Sequence, residues 1–253
     1  DFWSWRDRMY GVALRITPAQ MHAVAAQLYV EMLKGGYTQV CEFHYLHHTE
    51  GGSPYDDPAI LSWALADAAE EAGLGLTLLP ALYERAGFAQ PALRDDQRRF
   101  SGTPEFIHSL YRSVQSTGRA RVNAGVAIHS LRAASRESIT TLKKLVGDDD
   151  VPIHIHVAEQ MQEVNDCLTA TGARPIEWLC REFAPDHRWQ LVHATHATAA
   201  EINSVASAGA GMVICPSTEG NLGDGLADLP AWLAEQVPMA IGSDSHVSRS
   251  WAE

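Results

Sequence analysis

Histidine and carboxylate side chains recur where apolar segments of the sequence end. His154 and His156 alternate with isoleucine, Glu159 follows three residues later, His193 ends a second apolar segment, and Asp244 follows a third. Neutral imidazole and carboxylate groups are common ligands of zinc and similar divalent metals. A metal held by such a set would lower the pKa of a bound water molecule, so these residue types predict hydrolytic chemistry.

The apolar segments have the length and composition of buried parallel strands. Short runs rich in Val, Ile and Leu alternate with longer segments of helical spacing, which is typical of repeated βα units. The predicted strands are residues 38–43, 75–81, 121–128, 152–157, 190–194, 211–216 and 239–243. The predicted helices are residues 18–35, 58–73, 104–117, 135–146, 161–172 and 198–208.

Seven strands with this spacing are one short of a (β/α)₈ TIM barrel. With 253 residues, of which 46% are hydrophobic, the chain can bury the core of one such domain. We therefore expect residues 1–253 to form one α/β barrel domain that lacks its first strand, as a fragment of a longer chain. Barrel active sites lie at the carboxyl ends of the strands, where His156, Glu159, His193 and Asp244 would converge.

The composition excludes several classes of partner. The formal net charge is −12, from 19 basic and 31 acidic residues, which disfavours nucleic acid and anionic membranes. The sequence contains neither an apolar stretch long enough to cross a bilayer nor a signal-peptide pattern. The four cysteines form no C-x-x-C pair, which favours a reducing compartment, so a cytoplasmic protein is expected.

Each polar residue also has a simpler structural interpretation. A single histidine at a strand end is more often hydrogen-bonded in a core or at a surface than bound to a metal. Asp244 could cap a following helix, and Glu159 could complement a helix dipole. Their occurrence at successive strand ends would require several independent coincidences, which favours a functional site.

The arrangement resembles the deaminase branch of the amidohydrolase superfamily. The matching features are the His-x-x-Glu of His156 and Glu159, the strand-end His193, and the Ser-Asp-Ser around Asp244. The resemblance implies a metal-dependent amidohydrolase barrel with one zinc ion bound by His156 and Asp244. It also implies that Asp244 accepts a proton, Glu159 carries one to the substrate nitrogen, and His193 polarises or stabilises charge.

One element of the family pattern is not found in this sequence. The family carries a His-x-His pair on its first barrel strand, which would precede Asp1. His44, His47 and His48 do not replace that pair, because they follow the second barrel strand and have a different spacing. Two metal ligands are therefore expected outside this chain.

Four further segments resemble formimidoylglutamate deiminases, and the similarity spans essentially the whole chain. The segments are residues 2–6, 42–48, 129–132 and 156–160. The resemblance implies hydrolysis of N-formimino-L-glutamate to N-formyl-L-glutamate and ammonia in histidine degradation, by a homodimer. It assigns substrate binding to Arg6, Tyr45 and Arg132, with His129 assisting.

Physical chemistry agrees with a small dicarboxylate substrate. An acidic protein needs local cations to hold two carboxylates, and the guanidinium groups of Arg6 and Arg132 can each bind one through two hydrogen bonds. Two alternatives remain open. One is another deaminase of the superfamily, acting on guanine, cytosine or an adenosine derivative, and the other is a non-catalytic barrel that binds an anion.

Overall fold

A curled, parallel β-sheet forms the centre of the molecule. The computed structural model describes residues 2–244, with the side chains of Arg6 and of Arg8 onward. The strands are β1 (Gln39–His44), β2 (Gly75–Leu82), β3 (Val122–Ala124), β4 (Val126–Ser130), β5 (Ile153–Val157), β6 (Trp189–His193), β7 (Gly211–Ile214) and β8 (Met239–Ile241). They pair in parallel in the order β1-β2-β4-β5-β6-β7-β8, with β3 also beside β2.

Helices connect the strands. They are α1 (Phe2–Ala13), α2 (Pro18–Lys34), α3 (Ile60–Ala72), α4 (Pro104–Gln115), α5 (Arg136–Val146), α6 (Met161–Thr171), α7 (Pro175–Phe183), α8 (Ala199–Ala208), α9 (Pro216–Leu222) and α10 (Leu229–Ala234), with a 3-10 helix at Asp95–Phe100. The six predicted helices match α2 to α6 and α8 to within two residues at each end. In the described part of the chain, none is both long enough and apolar enough to span a bilayer.

The predicted strand at residues 121–128 is divided in two at Gly125. A Cβ atom at Gly125 would lie 2.3 Å from the carbonyl oxygen of Pro152, so only glycine allows this close approach. Beyond Gly125 the chain continues as β4, which pairs with both β2 and β5. The register between β4 and β5 shifts between Ile128 and Ser130, which places His129 in an irregular position at the strand end.

The core lies between the sheet and the surrounding helices. Leu78, Ile155 and Leu191 of three strands have no exposed surface and share one hydrophobic cluster with Ala66 of α3 and Leu179 of α7. Burial of each leucine or isoleucine contributes roughly 1.5–3 kcal/mol of transfer free energy. This packing fixes the strands, and therefore the directions of the side chains at their carboxyl ends.

The architecture confirms the predicted α/β fold of a TIM barrel that lacks part of its wall. The described residues supply seven of the eight strand positions, because β3 and β4 together occupy one. The strand path ends at β1 on one side and at β8 on the other. Cys41 of β1 and Ile241 of β8 are exposed, as expected for terminal strands of an open sheet.

Candidate active site

A cavity of about 440 Å³ opens at the carboxyl ends of the strands. Its volume falls in the usual range for a small-molecule site. The structure brings together at this cavity all eight residues singled out from the sequence. They are Arg6, Tyr45, His129, Arg132, His156, Glu159, His193 and Asp244.

Three of these side chains form a group of potential metal ligands. One ligand atom each from His156, His193 and Asp244 lies within 4.8 Å of the others. The Nδ1 atom of His156 lies 2.9 Å from the carbonyl oxygen of His129, to which its N–H can donate a hydrogen bond. The Nε2 lone pair then remains available, which is the usual arrangement of a zinc-binding histidine.

Burial keeps this imidazole neutral. Desolvation, reinforced by the nearby His193, lowers the pKa of His156 to about 4. A neutral imidazole is the form that binds a metal. With the Asp244 carboxylate beside it, the donor set fits a divalent ion such as zinc.

Glu159 lies next to this group, on the turn that follows β5. It is buried, and desolvation raises its pKa to about 7. Its Oε1 atom lies 3.8 Å from Nε2 of His193. A carboxyl group with a pKa near neutrality can both deliver and accept a proton at physiological pH.

Glu163, which the sequence analysis did not single out, holds the turn that carries Glu159. Its carboxylate accepts hydrogen bonds from the backbone N–H groups of Ala158 at 3.1 Å and Glu159 at 3.0 Å. Glu163 lies in the first turn of α6, so from sequence its carboxylate resembles an ordinary complement to the helix dipole.

The backbone is strained where the polar residues leave the strands. Ala158, His193 and Asp244 have φ angles of 52°, 69° and 54°. A residue other than glycine in this left-handed region costs on the order of 1–3 kcal/mol and persists only where its surroundings hold it. Such strain at three strand ends around one cavity is typical of a functional site.

His193 also contacts a buried carboxylate that the sequence analysis missed. Its Nδ1 atom lies 3.2 Å from Oε1 of Glu219 in α9, and the same oxygen accepts the backbone N–H of Cys215 at 2.9 Å. Burial by itself lowers the pKa of His193. The carboxylate of Glu159 and the contacts with Cys215 and Glu219 outweigh burial and raise the pKa well above its ordinary value.

Cationic and aromatic side chains line the same cavity beside the potential metal ligands, and the centroids of the His129 and His156 rings lie 5.3 Å apart. Two arginines, Arg6 and Arg132, are the residues with permanently charged cationic side chains among the described lining residues. Both also line an adjoining cavity of about 430 Å³, as does Glu159. The His129 ring lies 5.3 Å from that of Tyr45 and 4.3 Å from that of Tyr83, measured between centroids.

His47 and His48 lie apart from these groups and do not line the cavity. The Nε2 atom of His48 lies 2.8 Å from the carbonyl oxygen of Ser101, and that of His47 lies 3.4 Å from the carbonyl oxygen of Ala81. Both side chains are buried. This agrees with the sequence-based exclusion of these histidines from the metal site.

The amidohydrolase family model matches residues 1–252. The chain belongs to the amidohydrolase family. It is 48% identical to formimidoylglutamate deiminase of Pseudomonas aeruginosa, over all of this chain and 56% of that protein. The chain therefore spans little more than half the length of this amidohydrolase relative.

Two solved structures have the same fold. A crystal structure of an amidohydrolase from Brucella melitensis matches with a TM-score of 0.93 and 46% identity, over 97% of this chain and 55% of that one. An adenosine deaminase from Xanthomonas campestris with bound zinc matches with a TM-score of 0.76 and 24% identity, over 95% of this chain and 50% of that one.

Proposed function

We propose that the protein containing this chain hydrolyses N-formimino-L-glutamate to N-formyl-L-glutamate and ammonia. The observation that carries the proposal is the placement of Arg6 and Arg132 on the wall of the cavity that also holds His156, Glu159 and Asp244. Two guanidinium groups in an acidic chain suit a substrate with two carboxylates. The name of the Pseudomonas relative, formimidoylglutamate deiminase, supports the same substrate.

One zinc ion, held by His156 and Asp244, is part of this proposal. The support is the neutral imidazole with its available Nε2, the adjacent carboxylate, and the zinc bound in the Xanthomonas deaminase. When bound, zinc supplies a Lewis acid that activates water for attack.

The residues of the chain supply the proton transfers. Water adds to the formimino carbon while Asp244 accepts a proton from it. Glu159 delivers a proton to the imino nitrogen, which becomes an amino group, and Asp244 then passes the proton it accepted to the same nitrogen. The C–N bond to that nitrogen breaks and ammonia leaves, while the hydroxyl group on the carbon returns its proton to Glu159 and remains as the formyl oxygen. His193 stabilises the negative charge that develops on that oxygen.

Substrate binding is assigned to the arginine and aromatic side chains of the same cavity. Arg6 and Arg132 bind the two carboxylates of the glutamate moiety, and His129 assists. Burial raises the pKa of Tyr45 and keeps its phenol protonated, so Tyr45 can donate a further hydrogen bond.

The remaining features of the proposal concern the whole protein. Residues 1–253 form one catalytic barrel domain. The protein is a cytoplasmic homodimer that acts in histidine degradation. The cysteines Cys41, Cys167, Cys180 and Cys215 are all free thiols in the structure, which is consistent with a reducing compartment.

Ammonia release tests the function. The complete gene product, loaded with zinc, is assayed with N-formimino-L-glutamate, guanine, cytosine and adenosine, beside a Glu159→Gln variant. We expect release from N-formimino-L-glutamate alone and its loss in the variant. Release from a nucleobase or nucleoside would instead assign another deaminase activity, and no release from any substrate would favour an anion-binding barrel.

A further inference from the structure

Glu219 is a buried carboxylate that belongs neither to the proposed zinc ligands nor to the proposed substrate-binding residues. Only 4% of its surface is exposed, and it is not among the residues that line the substrate cavity. Burial of a carboxylate is unfavourable unless hydrogen bonds compensate for the lost hydration. Among the described residues, its Oε1 atom contacts the backbone N–H of Cys215 and Nδ1 of His193.

These contacts require a proton on Nδ1 of His193, in the neutral ring as well as in the cationic one. A carboxylate oxygen only accepts hydrogen bonds, so its partner Nδ1 must be protonated. The other nitrogen, Nε2, then faces Oε1 of Glu159 at 3.8 Å. His193 also has a left-handed φ of 69°, so its ring direction depends on such surrounding contacts.

We propose that Glu219 is a positioning residue that holds His193 with a proton on Nδ1 and directs Nε2 toward Glu159 and the reacting carbon. The carboxylate acts through His193 and does not touch the substrate. Its effect on rate rests on the proposed function, whereas its effect on the protonated nitrogen does not.

A metal site is the competing interpretation of the same residues. One ligand atom each from His193, Cys215 and Glu219 lies within 4.8 Å of the others, and all three residues are buried. A metal bound there would displace the proton from Nδ1 and break the hydrogen bond to Glu219. The protonation of Nδ1 and the metal content therefore distinguish the two interpretations.

The experiment measures the ¹⁵N signals of histidine in the zinc-loaded complete gene product, with the His193 signals assigned from their loss in His193→Asn. Glu219→Met removes the acceptor, and Glu219→Gln keeps an acceptor oxygen without charge. Glu201→Met is the matched control, because Glu201 is also 4% exposed and accepts hydrogen bonds within the α8 cap.

We expect Nδ1 of His193 to be protonated in the wild type and in Glu219→Gln, and to lose this fixed protonation in Glu219→Met. With N-formimino-L-glutamate, kcat of Glu219→Met should fall about 10- to 100-fold, the usual effect of removing an orienting partner. KM should stay within about threefold, because Glu219 does not line the cavity. Glu219→Gln should recover most of the rate, and Glu201→Met should leave both the signal and kcat unchanged.

An unprotonated Nδ1 in the wild-type protein would overturn the proposal. A second equivalent of metal in the wild type that is lost in Glu219→Met would also overturn it. An unchanged His193 signal in Glu219→Met would also overturn it. If Glu219→Met does not fold, a His193 signal that is identical in the wild type and Glu219→Gln overturns the proposal, and a shifted but still protonated Nδ1 supports it. Absence of ammonia release by the wild type would reject the proposed function alone.

Discussion

At the scale of single residues, the site separates its polar groups by environment. Burial makes His156 neutral, with a pKa of about 4, and raises the pKa of Glu159 to about 7. The His156 imidazole is therefore suited to bind a metal, and the Glu159 carboxyl group is suited to carry a proton. The hydrogen bond from His156 Nδ1 to the His129 carbonyl oxygen fixes which nitrogen is available.

Replacement of His156 by asparagine should abolish zinc binding and ammonia release. The change removes Nε2 as a ligand, and metal content measured by mass spectrometry reports the loss directly. His154→Asn is the matched control, since His154 lies two residues earlier on the same strand and outside the group of potential ligands. Normal zinc content in His156→Asn would show that His156 is not needed to hold the metal.

Replacement of Arg132 by lysine should raise KM for N-formimino-L-glutamate. Lysine keeps the charge but not the paired donors of a guanidinium group. Loss of a charge-assisted hydrogen bond of about 1.5–3 kcal/mol corresponds to roughly 10- to 100-fold in kcat/KM. Steady-state kinetics with Arg136→Lys, an exposed arginine paired with Glu182, provides the comparison. An unchanged KM would remove Arg132 from the substrate site.

At the scale of elements, the period of two along residues 153–157 and the polar residues at strand ends predicted the sheet and the edge at which those polar residues meet. The sequence analysis did not predict α1, α7, α9 and α10. For α9 and α10, seven and six residues are too few to establish a helical period. The residues Glu163 and Glu219 were missed for a related reason. Each acts through backbone or imidazole contacts that depend on tertiary packing, and no local pattern marks them.

The turn after β5 should depend on Glu163. The Glu163 carboxylate accepts one hydrogen bond from each of two backbone N–H groups. In Glu163→Gln the amide NH₂ group would face one of these donors, and because two donors cannot pair, one hydrogen bond is lost. We expect lower kcat and faster hydrogen exchange at the amides of Ala158 and Glu159, measured by mass spectrometry. Exchange at β6 serves as the internal reference. Unchanged exchange in the turn would show that strand packing alone holds it.

At the scale of the whole molecule, the fold buries ionisable groups that do not line the cavity as well as those that do. His44, at the end of β1, is buried, and desolvation lowers its pKa to about 4. In the unfolded chain a histidine has a pKa of about 6.5. The unfolded state therefore binds more protons between these values, and stability falls as the pH falls from about 6.5 to about 4.

His44→Leu should reduce this acid sensitivity. The pKa difference corresponds to about 3 kcal/mol of unfolding free energy, at about 1.4 kcal/mol per pKa unit. Urea unfolding of the wild type and variant at several pH values isolates this contribution, because the other buried groups are common to both. The wild type should lose more stability than the variant between pH 6.5 and pH 4. Parallel pH profiles would contradict a neutral, buried His44.

The most direct test of the proposed hydrolysis is a product balance in ¹⁸O-labelled water. The zinc-loaded complete gene product is incubated with N-formimino-L-glutamate, and the products are identified by mass spectrometry. We predict one ammonia for each N-formyl-L-glutamate, with a single ¹⁸O atom in the formyl group. Formamide and glutamate, which would result from cleavage of the other C–N bond, or no turnover at all, would contradict the proposed roles of Glu159 and Asp244.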